Sequence, residues 1–271
     1  MPEVIVAEHA GLCYGVKRAL LLAWEAANNH KSIFSYGELV HNPQLSDFFG
    51  TLGVRIVDSL DGLVAGDCLV IRSHGAPLQV YEECRSKNIT MVDATCPKVK
   101  EAQRALVQLE RDGYFPVIFG DEAHPEVRAM RSYVKHSIVI SGTDDIPSLP
   151  RSPLGVISQT TQVQDMFYSV LESLPVSFVM YNTICDATRN RQDAAVELAK
   201  SVDLMLVIGG NNSSNTKKLY QLCSNIVETH QIESCEEVRP EWSSKGTIGV
   251  TAGASTPDYV LAEVVNRIKE N

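Results

Sequence analysis

The chain has 271 residues, of which 44% are apolar, and a formal net charge of −9 at pH 7. This length suits two or three small α/β units with a sizeable core, and the acidic balance argues against a nucleic-acid partner. The longest apolar runs have the length of a strand and the N-terminus lacks a signal-peptide pattern, so we expect a soluble cytoplasmic protein without a membrane span.

Predicted strands and helices alternate along the whole chain. Apolar runs of four or five residues that are separated by helical segments are typical of parallel sheets covered on both faces. The pattern predicts an α/β fold of three similar modules, at residues 1–97, 98–184 and 185–271, with mainly parallel sheets and no flexible linker. In chain order, the predicted strands are 3–8, 32–36, 68–72, the run ending at 96, 116–119, 137–141, 154–158, 176–181, 204–208 and 247–250, and the predicted helices are 14–29, a short one after 43, 78–87, 97–112, 125–134, 162–173, 188–200, 214–226 and 257–269.

Three of the seven cysteines occupy matched positions in this pattern. Cys13, Cys96 and Cys185 each follow a strand-like run and precede a helix, at nearly equal intervals. The positive end of a helix favours the thiolate, which is the form of cysteine that binds metals. We therefore predict that the three thiolates meet at one metal centre, although three inert buried thiols are the structural alternative. The remaining cysteines, which we assign to core or loop positions, are Cys68, Cys84, Cys223 and Cys235.

Three thiolates without a fourth are compatible with two kinds of metal centre. A 4Fe-4S cluster with three cysteine ligands leaves one iron with an open coordination position, whereas zinc with three cysteines would complete its tetrahedron with water. The sequence has no Cys-x-x-Cys, no phosphate-binding P-loop and no Gly-x-Gly-x-x-Gly after its first strand. A reductase, a zinc hydrolase acting on a phosphorylated metabolite and a non-catalytic iron–sulfur sensor all remain open on these residues.

Six loops that follow predicted strands are rich in hydroxyls, amides and imidazoles. Ligands bind beyond the carboxyl ends of parallel strands, and these donors suit a small polyanion such as a diphosphate. His41, His74 and His124 each lie within two residues of Gly or Pro in such a loop, while Glu126 has the simpler interpretation of a first-turn helix residue. The loops are 37–43, 72–75, 120–126, 158–162, 209–215 and 251–256.

Motifs distributed over essentially the whole chain resemble the 4-hydroxy-3-methylbut-2-enyl diphosphate reductase family. Taken together they are highly specific. They are AEHAGLCYGV at 7–16, VHNP at 40–43, SHG at 73–75, DATCP at 93–97, HPEV at 124–127, QTTQ at 159–162, ICDAT at 184–188, NSSN at 212–215 and TAGAS at 251–255.

This resemblance implies a trefoil of three α/β lobes around a central 4Fe-4S cluster. Cys13, Cys96 and Cys185 would hold the cluster and leave its fourth iron open, and loss of that labile iron would leave a 3Fe-4S core. The substrate hydroxyl would bind the open iron, and reductive loss of that hydroxyl would give isopentenyl diphosphate and dimethylallyl diphosphate. Ferredoxin or flavodoxin would supply the electrons.

The resemblance also implies roles for individual side chains. Glu126 would deliver protons, and Thr160 would hydrogen-bond both Glu126 and the substrate hydroxyl. The position of His124, two residues before Glu126, independently suggests that it relays a proton. The residues expected to line the substrate pocket are His41, His74, His124, Thr160, Ser213, Ser214, Asn215 and Ser255.

Overall fold

The computed structural model describes residues 2–270, and they contain three four-stranded sheets in which every strand pair is parallel. The chain divides into two compact units. The first unit comprises Met1–Tyr14, His41–Pro43 and Cys185–Asn271, and the second unit comprises Gly15–Val40 and Gln44–Ile184.

The strands are β1 (Glu3–Val6), β2 (Ile33–Tyr36), β3 (Val54–Val57), β4 (Cys68–Ile71), β5 (Thr90–Asp93), β6 (Phe115–Phe119), β7 (Ile138–Ile140), β8 (Leu154–Ser158), β9 (Phe178–Tyr181), β10 (Leu204–Ile208), β11 (Thr229–Ile232) and β12 (Thr247–Ala252). The α-helices are α1 (Tyr14–Asn29), α2 (Pro43–Thr51), α3 (Leu78–Ser86), α4 (Pro97–Arg111), α5 (Pro125–Arg131), α6 (Gln164–Glu172), α7 (Asp186–Ala199), α8 (Ser214–Ser224) and α9 (Asp258–Glu270). Short 3₁₀ helices cover Thr143–Ser148, Cys235–Glu237 and Pro240–Ser244.

The first unit is built on one sheet with the strand order β1-β12-β10-β11. Every residue of β10 is buried, because helices cover both faces of the sheet. One face packs against Val260, Val264 and Ile268 of α9, and the other packs against Leu219 of α8 and the alanines of α7. The exits of β1, β10 and β12 therefore lie at the same edge of a rigid sheet.

The second unit contains the other two sheets, with the strand orders β3-β2-β4-β5 and β7-β6-β8-β9. Helix α4 packs on the β6 and β8 sheet through Ala102, Leu106 and Leu109, which recur at helical spacing on one face. The central strands β4 and β8 are buried along their whole length. Their exits carry the segments 72–75 and 158–162 that were predicted to bind a ligand, and Ser158 is the last residue of β8.

The predicted α/β class with three parallel sheets is confirmed. Two strands were missed, β3 and β11, and both are edge strands in which polar side chains interrupt the apolar run. Strand β1 pairs with β12 and so lies in the sheet of the first unit, whereas the sequence placed it with the module at 1–97. In this parallel pairing Val4 lies opposite Ile248, so β1 belongs to the same sheet as β12. The module boundaries near 97 and 184 remain predictions.

Among residues 2–270, no helix combines the length and the apolar composition that crossing a membrane requires.

Candidate active site

Two of the three matched cysteines lie in the first unit. Cys13 ends the loop after β1, and its backbone N–H donates to the carbonyl of Ala254 at 3.1 Å. Cys185 is the N-cap residue of α7, where its carbonyl accepts from the backbone of Thr188 and Arg189. Both side chains are half-buried thiols. The fold thus presents each sulfur at a strand-to-helix junction, as the sequence predicted.

The loop that carries Cys13 depends on a glycine. Gly11 has a φ of 93°, a left-handed conformation that is strained for other residues. A Cβ at this position would lie 2.9 Å from Oδ1 of Asp258. The missing side chain therefore lets the backbone before Cys13 approach the start of α9.

A buried cation that sequence reasoning missed lies beside this pair of thiols. Arg191 of α7 is only 3% exposed. Burial lowers the pKa of its guanidinium, and the nearby sulfur groups of Cys13 and Cys185 oppose that shift. A signal was present in the sequence, because position 191 falls on the buried stripe of α7 with Thr188 and Ala195.

Polar groups suited to an anion lie in the same unit. Ser213 is the N-cap residue of α8, and its Oγ accepts from the backbone of Thr216. Asn215 in the first turn is 3% exposed, and neither polar atom of its amide has a hydrogen-bond partner. Ser214 between them is half-buried. Buried amides are normally satisfied, so the side chain of Asn215 is an unusual unpaired donor and acceptor at the positive end of α8.

His41 and Ser255 adjoin this helix end. The Oγ of Ser255 donates to the backbone carbonyl of His41 at 3.0 Å. A Cβ at Gly210 would lie 2.8 Å from the same carbonyl oxygen, so the loop before α8 runs directly beside His41. The first unit therefore brings together Ser213, Ser214, Asn215, Ser255 and His41, and the backbone of Ala254 links this group to Cys13.

The third matched cysteine, Cys96, lies in the second unit as the N-cap residue of α4. Its backbone N–H donates to the carbonyl of Ser73 at 2.9 Å, which joins the loops that follow β4 and β5. The preceding residue, Thr95, is 1% exposed and is held by Tyr81, by Asp93 and by Nη1 of Arg18. These contacts fix the backbone that carries Cys96.

The carboxyl group of Glu126 is the most deeply buried acid of the second unit, with 1% of the residue exposed. Its Oε1 accepts from the backbone N–H of Thr160 at 2.7 Å, and its Oε2 accepts from Oγ1 of Thr160 at 2.8 Å. Burial raises the pKa of Glu126 to about 7, although both hydrogen bonds from Thr160 act in the opposite direction. A carboxylic acid with that pKa can donate a proton near neutral pH.

His124 is the N-cap residue of α5, and its Nδ1 accepts from the backbone N–H of Glu126 at 3.2 Å. That hydrogen bond places the proton of the neutral ring on Nε2. The His74 ring meets the His124 ring edge-on, with 5.2 Å between the centroids. The second unit thus brings together His74, His124, Glu126 and Thr160, and the loop of His74 is joined to Cys96 through Ser73.

The other cysteines occupy different surroundings. Cys68, Cys84 and Cys223 are buried in apolar clusters, and Cys235 is half-buried. Burial raises the pKa of Cys68 to about 11 and that of Cys223 to about 12, so both remain thiols at neutral pH. Cys68 lies in a strand and Cys84 and Cys223 lie in helices, whereas Cys235, which was predicted in a loop, begins the 3₁₀ helix Cys235–Glu237. The structural role of these four cysteines remains a prediction.

Comparison with known proteins gives one consistent family. The family model described as LytB protein matches residues 4–269. A relative from Geobacter metallireducens, named 4-hydroxy-3-methylbut-2-enyl diphosphate reductase, is 42% identical, and the match covers 99% of this chain and 97% of the relative.

Solved structures agree with this result. One, described as the (E)-4-hydroxy-3-methyl-but-2-enyl diphosphate reductase that is the terminal enzyme of the non-mevalonate pathway, is 39% identical with a TM-score of 0.72, and the match covers 100% of both chains. The E-1-hydroxy-2-methyl-but-2-enyl-4-diphosphate reductase from Plasmodium falciparum is 24% identical with a TM-score of 0.93, covers 98% of this chain and 87% of that one, and shows the fold alone. The predicted family is confirmed, and the chain belongs to the LytB protein family.

Proposed function

We propose that this chain reduces 4-hydroxy-3-methylbut-2-enyl diphosphate to isopentenyl diphosphate and dimethylallyl diphosphate. The relatives that match the full chain are named for this reductase, which supports the activity. The observation that carries the chemistry is the buried carboxyl group of Glu126, held by two hydrogen bonds from Thr160 beside the paired rings of His74 and His124.

A 4Fe-4S cluster held by Cys13, Cys96 and Cys185 fits the donors that are present. Each sulfur lies at a strand-to-helix junction and is half-buried, and the buried cation of Arg191 adjoins two of them. When bound with three protein ligands, such a cluster supplies electrons and one iron that is open to a substrate oxygen.

The diphosphate group is recognised by donors at the strand exits. In the first unit, the helix end at Ser213, the amide of Asn215 and the hydroxyl of Ser255 provide neutral donors, and His41 adjoins them. In the second unit, Nε2–H of His124 and the imidazole of His74 provide two more. Ser214 lies beside its neighbours on α8 as a further hydroxyl donor. Convergent neutral donors at a helix N-terminus favour an anion without needing a lysine.

Proton delivery is assigned to Glu126. The reaction consumes two electrons and two protons, because the carbon–oxygen bond breaks, the hydroxyl leaves as water and one carbon–hydrogen bond forms. The neutral acid form of Glu126 supplies the proton to the leaving oxygen, and the hydrogen bond from Thr160 fixes the orientation of that acid. We assign to the Thr160 hydroxyl a second hydrogen bond, to the hydroxyl of the substrate. Because Nδ1 of His124 already accepts from the backbone of Glu126, a relay through His124 would use Nε2.

The electrons come from an external one-electron carrier, for which we propose reduced ferredoxin or flavodoxin in the cytoplasm. An anaerobic assay with a chemically reduced carrier tests the function. We expect iron and acid-labile sulfide in the protein, and isopentenyl and dimethylallyl diphosphates as products. Zinc in place of iron, with release of phosphate and no reduced product, would instead identify a hydrolase.

The pH dependence of turnover tests whether Glu126 acts as the proton donor. Because the pKa of Glu126 is raised to about 7, the acid form predominates below that pH and is lost above it. We expect kcat to fall about tenfold per pH unit above roughly 8, with an alkaline midpoint near 7. Glu126→Gln should remove this alkaline limb from whatever activity it retains. A wild-type profile that is flat from pH 6 to 9 would contradict the assignment.

Diphosphate recognition can be tested without turnover. We expect His74→Ala to raise the Kd for inorganic diphosphate by roughly tenfold or more, because a hydrogen bond to a charged group contributes about 1.5–3 kcal/mol. Isothermal titration of the cluster-loaded protein measures this effect. His136→Ala, which changes an exposed histidine of the same unit, is the control and should bind like wild type. Equal affinities for all three proteins would remove His74 from the pocket.

A further inference from the structure

The guanidinium group of Arg191 joins two segments that are far apart in sequence. Its Nη2 donates to the carbonyl of Gly11 at 2.7 Å, across 180 residues, and its Nη1 donates to the carbonyl of Ala187 at 3.2 Å. Gly11 lies two residues before Cys13, and Ala187 lies two residues after Cys185. One side chain therefore holds the backbone next to both thiols.

The charge of Arg191 lacks the usual compensation. The residue is 3% exposed, and in the described part of the chain its guanidinium makes no ion pair with a carboxylate. Its Nε is buried without a hydrogen-bond partner. A buried cation is unfavourable unless an opposite charge lies nearby, and the groups that act on it electrostatically are the sulfurs of Cys13 and Cys185.

We propose that Arg191 is a positioning residue that holds the segments of Cys13 and Cys185 in place and offsets the negative charge of the thiolate-bound cluster. This inference rests on the proposed function, because it requires the cluster. Each electron that enters a cluster makes it more negative, and a nearby buried cation stabilises the reduced state. Arg191 therefore raises the reduction potential at which this chain accepts electrons.

The experiment compares cluster potentials in the absence of substrate. Anaerobic spectroelectrochemical titration of wild type, Arg191→Met, Arg191→Lys and Arg189→Met measures the potential directly. Arg189 is the matched control, since it lies on the same helix but is exposed and paired with Asp186. We expect a lower potential for Arg191→Met, a potential near that of wild type for Arg191→Lys, and no change for Arg189→Met. We also expect Arg191→Lys to lose iron faster to a chelator, because an ammonium cannot bridge both carbonyls as the planar guanidinium does.

A wild-type potential in cluster-loaded Arg191→Met would overturn the proposal. Should that variant fail to take up the cluster, Arg191→Gln is compared with Arg191→Lys, and equal potentials in this neutral and charged pair would equally contradict it. The proposed function is tested separately by turnover. A wild-type protein that binds the cluster but does not reduce the diphosphate would reject the function while leaving the comparison of potentials intact.

Discussion

Replacing Cys96 by serine is expected to remove the iron and sulfide from the purified protein and to abolish reductase turnover. Cys96 is held at the N-terminus of α4 by the hydrogen bond of its backbone to Ser73, so the serine variant should retain the fold while losing one sulfur donor. A hydroxyl is a poor ligand for a cluster whose protein ligands are thiolates. The same loss is expected for Cys13→Ser and Cys185→Ser. Iron and sulfide analysis after anaerobic purification measures the effect, and circular dichroism checks the fold.

The four remaining cysteines provide matched controls for this experiment. Serine at Cys68, Cys84, Cys223 or Cys235 should leave the iron content unchanged, although a hydroxyl in an apolar cluster will lower the stability of the three buried variants. Full iron occupancy in Cys96→Ser would refute its assignment as a ligand. Loss of iron in Cys235→Ser would show that another sulfur participates.

Changing Glu126 to glutamine is expected to lower kcat by about 10²-fold or more, in the range of a positioned general acid. The amide has the size of the carboxyl group, and its oxygen can still accept a hydrogen bond from Thr160, but it has no acidic proton to give. Iron content and substrate affinity should therefore stay close to wild type. Single-turnover kinetics with a pre-reduced protein separate this chemical step from electron supply.

Glu122→Gln is the control for that variant, because Glu122 lies in the loop just before α5 but is exposed and paired with Arg131. Its turnover should equal that of wild type. If Glu126→Gln turns over at a near-normal rate, Glu126 has no part in proton delivery.

Much of this site could be predicted because the fold is repetitive. Parallel strands expose their carboxyl ends at one edge of each sheet, so a cysteine after a strand and before a helix has a defined position. The structure places Cys96 and Cys185 at N-caps as that pattern indicates. His124 and Ser213 also act as N-caps, so the simpler capping interpretation and the ligand-binding one apply to the same residues.

The remaining features depend on contacts that a linear pattern does not contain. Strand β1 pairs with β12, which lies near the other end of the sequence. The alternation of strands and helices does not specify this pairing. Burial raises the pKa of Glu126, and the hydrogen bonds that oppose this shift come from Thr160, 34 positions away. Helical spacing can place Arg191 on the buried face of α7, but its hydrogen bond to the carbonyl of Gly11, 180 positions away, is visible only in the structure.

Mössbauer spectroscopy of anaerobically purified protein, enriched in the iron isotope and recorded with and without substrate, tests the central claim most directly. That claim is a 4Fe-4S cluster with three cysteine ligands and one iron that the substrate hydroxyl can occupy. We expect four irons per chain, one of which differs from the other three and changes its spectrum when 4-hydroxy-3-methylbut-2-enyl diphosphate is added. Four equivalent irons that do not respond to the substrate would contradict the account.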